Sequence, residues 1–134
     1  MLFLPDTNVW IRHLNPAPSK VKPRLAALSP SQIRLCDVVT AELYYGAFKS
    51  ERRESNLALL ALLFSGFSSF SFDGRAAYVF GELRAELARK GTPIGSYDLQ
   101  IAAIALVNDC TLVTHNTNEF SRIAGLKLED WESV

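Results

Sequence analysis

Leu2-Phe3-Leu4 is a short apolar run closed by Pro5, which has no N–H to give a sheet ladder. The pattern predicts a buried strand ending there, with Asp6 at its carboxyl end. After polar Thr7-Asn8, Trp10, Ile11 and Leu14 recur at helical spacing until Asn15-Pro16 closes the helix. Ile33 to Cys36 predicts a second strand. The helix after it, capped by Asp37 or Thr40, carries Val39, Leu43 and Tyr44, with Glu42 in its first turns. A long helix from about Arg52 to Phe67 contains the apolar stretch starting at Leu57 and is predicted to be a core helix. Phe70-Ser71-Phe72 follows as a third strand, and Asp73 caps a helix to Lys90 that Gly91 terminates. The buried face of that helix is predicted as Ala77, Phe80, Leu83 and Leu87.

Thr92-Pro93-Ile94-Gly95 is a loop, and Ser96 is the expected N-cap of the alanine-rich helix Leu99 to Val107, placing Asp98 in its first turn. Thr111 to Thr114 is a fourth strand, His115 to Glu119 a loop running into a short helical turn, and Leu126-Lys127-Leu128 an edge strand. Alternating strand and helix predicts an α/β fold: a parallel sheet of about four to five strands with helices on both faces. A chain of 134 residues suits one domain spanning 1–134.

Fourteen Lys plus Arg against fourteen Asp plus Glu leave no net charge, so a site for a polyanion has to be local. The longest apolar run falls well short of the roughly 20 residues a membrane span needs, and no membrane role is expected. Cys36 and Cys110 lack metal-ligand spacing and read as reduced, buried thiols of a cytoplasmic protein.

Asp6, Glu42 and Asp98 are far apart in the chain, yet each follows a strand or opens a helix, as do Asn116 and Glu119. In a parallel sheet these places share the carboxyl edge, where ligands bind. Each acid alone has an ordinary explanation as a helix cap. Asp6 directly after an apolar strand, and Glu42 between Val39 and Leu43, resist it, because a buried carboxylate costs several kcal/mol unless paired or metal-bound. Three clustered carboxylates without basic partners suit a hard divalent cation, magnesium or manganese. Helix N-termini at Glu42 and Asp98 are expected to favour the ionised form.

Four motifs occur in order: Asp6-Thr7-Asn8; Thr40-Ala41-Glu42-Leu43 with Gly46; Pro93-Ile94-Gly95-Ser96-Tyr97-Asp98 with Ile101-Ala102-Ala103; and Val113-Thr114-His115-Asn116 with Glu119-Phe120. This ordered set, with the ending Gly125 to Trp131, resembles the PIN domain of VapC-type toxins over essentially the whole chain. The resemblance implies a toxin endoribonuclease of a type II toxin-antitoxin system, dependent on Mg2+ or Mn2+ bound by Asp6, Glu42 and Asp98. Its implied substrate is a structured RNA such as a tRNA or rRNA loop, cut to leave 5'-phosphate and 3'-hydroxyl ends. Its implied partners are a VapB-like antitoxin and a second copy of itself, as a homodimer and as a heterotetramer or larger assembly with antitoxin. Many members carry Asp where this chain has Asn116, so the fourth ligand is Asn116, Glu119 or water, with Glu119 favoured as the anion.

Around those acids, Thr7, Asn8 and Ser96 are candidates to orient the carboxylates, and Tyr97 to meet substrate. Tyr44 and Tyr45 are further candidates to stack an unpaired base, and with Phe48 to line an antitoxin groove. Lys49, Arg52, Arg53, Arg84, Arg89 and Lys90 are read first as solvated faces. His13 and His115 raise metal-free cleavage as a competing mechanism, without an evident partner for either. An Asp-nucleophile phosphotransferase or phosphatase would also place Asp6 after a first strand, but position 8 is Asn rather than the second acid. A degenerate PIN domain acting as a binding module is the remaining alternative.

Overall fold

The computed structural model describes residues 1–133. Strand β1 (Leu2–Pro5) lies parallel to β4 (Cys110–Val113), with Leu2 opposite Cys110 and Pro5 opposite Val113; β5 (Leu128–Glu129) pairs in parallel on the far side of β4. Strand β2 (Arg34–Cys36) pairs in parallel with β3 (Ser68–Phe70). The parallel sheet is therefore divided into three strands and two, rather than being one ladder of four or five. Among the described residues a parallel bridge from Phe3 to Ile33 joins them. Across that bridge the spatial order is β3-β2-β1-β4-β5.

The helices are α1 (Thr7–Leu14), α2 (Val21–Ala26), α3 (Asp37–Lys49), α4 (Arg53–Phe64), α5 (Gly74–Arg89), α6 (Ser96–Val107) and α7 (Thr117–Phe120). Helix α6 is the centre of the core: Leu99 and Ile101 to Ala105 are all buried, so it has no polar stripe. Alanines on it let α5 and the sheet approach closely. Trp10 is fully buried against Phe67, and Trp131 near the end of the chain packs on Phe3 of β1. Gly91 ends α5 in the left-handed region at φ +70, which a side chain would strain.

Several expectations shift. The third strand is Ser68–Phe70, two residues early, and α4 stops at Phe64. That helix is a surface element: Leu60 is buried, whereas Leu62 is 72% exposed and Leu59 is exposed too. Its apolar content had suggested core, but α4 packs mainly on α3, so its far side stays outside. On α5, Ala76 rather than Ala77 faces inward, and on α1 Val9 and Trp10 are buried while Ile11 is exposed. Neither Asp37 nor Thr40 caps α3: Cys36 is its N-cap, Asp37 begins the helix and accepts from Ser69 Oγ, and the Thr40 hydroxyl donates back to the Cys36 carbonyl. Gly95 rather than Ser96 is the N-cap of α6. Both cysteines are free and buried, and burial pushes the Cys36 thiol up to about 11. Among the described residues no helix is long and apolar enough to cross a membrane.

Candidate metal and nucleic-acid site

Asp6 follows β1 directly and serves as the N-cap of α1, its Oδ1 accepting from the Val9 amide at 3.0 Å. The same residue therefore fulfils the capping role and stands at the sheet edge, leaving its second oxygen free of that bond. It is only 7% exposed, and burial raises its pKa against the lowering hydrogen bonds from Thr114 and Val9; Glu132 and Glu42 add like charge.

Glu42 is the sixth residue of α3, a turn past the helix start, so the helix dipole does not reach it as expected. A side chain does instead. Thr7 Oγ1 donates to Glu42 Oε1 at 2.6 Å, a charge-assisted bond tying the first turn of α1 to α3. Asp98 is in the first turn of α6, where burial first, then Glu119, Asp6 and Glu42, push its carboxyl up to about 6. Glu119, Asp6 and Glu42 thus all lie within electrostatic reach of Asp98, with Glu119 acting on it most strongly of the three.

Asn116 precedes α7 and donates from Nδ2 to Glu119 Oε2 at 3.0 Å, so these two fourth-ligand candidates are bound together. Asn8 lines the cavities beside the acids. Ser96 is exposed, and its Oγ accepts from Gln100 within its own helix, so no contact supports its expected role of orienting a carboxylate. Tyr97 is 63% exposed on the rim. His13 sits edge-on to Trp10 and burial lowers its pKa, the behaviour of a packed histidine.

The partner of His115 escaped the sequence reading. Its Nδ1 lies 3.1 Å from Asp130 Oδ2, just after β5, and Glu132 two residues on pairs with Arg12 Nε at 3.2 Å. Since β5 is parallel, the residue after it falls at the same carboxyl edge as Asp6, and that rule applied to the edge strand would have found Asp130. Among the described residues His115, Asp130 and Glu132 are the group whose ligand atoms all lie within 4.8 Å of one another, closer than the four acids. Several of their atoms are already engaged, Glu132 Oε1 by Arg12 and both Asp130 oxygens by hydrogen bonds. Asp130 accepts from the Glu132 amide and from Ser133 Oγ besides His115, and these bonds, against a raising effect of burial, hold its carboxyl below the usual range. His115 and Glu132, with Arg12, line a cavity of about 430 Å³ that Asp6, Asn8 and Asn116 also line, while Asp130 stands behind His115.

Asp6, Glu42, Asp98 and Glu119 offer only carboxylate oxygens, and the charges acting most strongly on Asp6 and Asp98 are other carboxylates, although Arg12 lines the cavity beside Asp6. Hard oxygens in mutual repulsion fit a divalent cation such as Mg2+ or Mn2+.

A family model described as the PIN domain matches residues 3–126. The chain is 38% identical over 133 residues to ribonuclease VapC2 of Rickettsia felis, covering 98% of this chain and 99% of that protein. It is 40% identical over 129 residues to the tRNA(fMet)-specific endonuclease VapC of Shigella flexneri, covering 96% and 97%. Among solved structures, the DNA-bound VapBC of Salmonella typhimurium matches at TM-score 0.90 and 40% identity over 98% of this chain and 99% of that one. VapBC2 of Rickettsia felis bound to promoter DNA matches at TM-score 0.89 and 37% identity over the same shares.

Proposed function

This chain belongs to the PIN-domain family and is a VapC-type ribonuclease, and from that premise we propose that it hydrolyses phosphodiester bonds in a structured RNA with a divalent cation held by Asp6, Glu42 and Asp98. The observation that carries the reading is the setting of Asp98 at the carboxyl edge: burial first, then Glu119, Asp6 and Glu42, raise its proton affinity, and a cation relieves such a group. A divalent ion bound there supplies neutralisation of the attacked phosphate and lowers the pKa of the attacking water. The chain's own contribution is positional. Thr7 holds Glu42 in one orientation, and the Val9 amide and Thr114 hydroxyl hold Asp6, so the carboxylates meet the ion without first reorganising.

Transfer RNA is the substrate class that the name of the Shigella flexneri relative points to. A small VapB-like antitoxin is the proposed partner, by analogy with the VapBC complexes. A groove of about 410 Å³ beside Glu42, lined by Ile11, Leu14, Leu43, Ala47, Leu59 and Leu60, suits the apolar side of an antitoxin helix, with a basic side chain reaching the acids. Tyr44, Tyr45 and Phe48, expected to form part of such a groove, are exposed but do not line this cavity, and Tyr44 lies edge-on to Phe64.

Incubating the protein with end-labelled total RNA tests the function. Cleavage is expected with magnesium or manganese and none with chelator, and the products should carry 5'-phosphate and 3'-hydroxyl ends. Cleavage in chelator leaving 2',3'-cyclic phosphate would instead point to His115 and refute the metal mechanism. Repeating the assay with the small protein encoded beside this one should protect the RNA; unchanged cleavage would remove the partner proposal.

The fourth ligand has its own test. Glu119→Gln removes the largest like charge acting on Asp98 and, if Glu119 helps hold the cation, should lower cleavage about tenfold or more. Asn116→Asp adds an anion beside it and should sustain or raise cleavage. Indifference to both would mean that three carboxylates and water suffice.

A further inference from the structure

A second cavity, of about 770 Å³, is lined by Glu42 of the acidic edge and, unlike the one beside Asp6, not by His115. That volume is within the about 300–1,000 Å³ of small-ligand sites. Thr7 and Glu42 line it together with Tyr45, Lys49 and Tyr97. The two tyrosines come from different helices, α3 and α6, and are 67% and 63% exposed, so core packing does not account for them. Lys49 Nζ sits 5.3 Å from the centre of the Tyr45 ring. The one acid on this wall other than Glu42 is Asp37, whose carboxylate already accepts from Ser69 Oγ.

We propose that Tyr45 and Tyr97 stack the bases of two unpaired nucleotides on one side of the scissile phosphate, with Lys49 at the backbone phosphate that joins those two nucleotides. The proposal rests on the ribonuclease reading and specifies the substrate as a loop or bulge. A paired base has both faces covered by its neighbours, whereas an unpaired base can lie on an aromatic ring. Stacking of a base on tyrosine outweighs an exposed ammonium over the same ring, so Lys49 is free to move to a phosphate once the base arrives. The placement couples recognition to chemistry: nucleotides held between α3 and α6 deliver the next phosphate to Glu42 and Asp98, which sit on those same two helices.

The test uses a short oligouridylate carrying one 2-aminopurine, whose fluorescence falls on stacking. In chelator, where nothing is cut, the wild-type protein and Tyr45→Phe and Tyr97→Phe should quench it alike, while Tyr45→Leu and Tyr97→Leu should each bind about tenfold or more weakly. With magnesium, the same factor should appear in KM rather than kcat for the leucine variants. Lys49→Gln should flatten the dependence of log affinity on log salt by about 0.7. Leucine variants that quench and cleave as wild type overturn the proposal. So does a loss shared by the phenylalanine variants, or a change in oligomeric state with KM unchanged, which would make the tyrosines a contact between copies of this chain. If the wild-type protein cuts no RNA with either metal but the leucine variants still lose quenching, the ribonuclease reading fails and the stacking site stands.

Discussion

Asp6→Asn, Glu42→Gln and Asp98→Asn are each expected to lower RNA cleavage by more than about a hundredfold while leaving the fold intact. Removing a group that merely orients a ligand typically costs about 10–100-fold, and these carboxylates are proposed to contact the cation itself. The substitutions keep size and hydrogen-bonding shape and remove only charge. For Asp6 this matters, since Asn retains an oxygen to accept from the Val9 amide and remains a good N-cap. Cleavage rates with saturating magnesium, measured beside circular dichroism spectra, check the prediction. Wild-type rates in all three folded variants would defeat the assignment of the site.

Asp98→Asn should also make the cation-free protein more stable at neutral pH. The folded carboxyl is pushed up to about 6 from an ordinary 3.8, so between those values the folded state holds a proton that the unfolded state has released. Stability therefore falls as pH rises through that window, and above about 6 the fold carries an ionised Asp98 facing Glu119, Asp6 and Glu42. Asn never ionises. At pH 3 the variant and wild type should melt together in chelator, whereas at pH 7.5 the variant should be more stable, by on the order of 1–2 kcal/mol after discounting for partial solvent access. Magnesium should raise the wild-type melting temperature more than the variant's. A variant that melts lower than wild type in chelator at pH 7.5 would make Asp98 a structural residue of α6 rather than a strained acid.

The alternation of strand and helix and the carboxyl-edge position of Asp6, Glu42 and Asp98 were legible because both follow from local rules: Pro5 ends a ladder, Asp6 caps, and parallel strands all point one way. What was not legible depends on tertiary partners. Nothing in the run from Leu57 to Phe67 tells which neighbour α4 lacks, so a surface helix reads as a core one. Thr7 looks like a routine helix-start residue until Glu42 arrives from 35 positions away. His115 is similar: its carboxylate partner follows the two-residue strand β5, too brief for periodicity to locate. Ser96 shows the opposite failure, a good capping residue type next to a glycine that takes the position instead.

The pairing of β1 with β4 has a consequence for the chain while it is still being made. Leu2 to Pro5 leave the ribosome well before their ladder partner, Cys110 to Val113, and among the described residues a bridge to Ile33 is their other pairing in the sheet. At about 5–20 residues per second, roughly 100 residues of synthesis take on the order of 5–20 s. Throughout that interval Asp6 has no Thr114 beside it and Glu119 does not yet exist, so the acids cannot gather. A chain interrupted before β4 therefore lacks both the ladder that sets Asp6 at the sheet edge and the Glu119 that crowds Asp98.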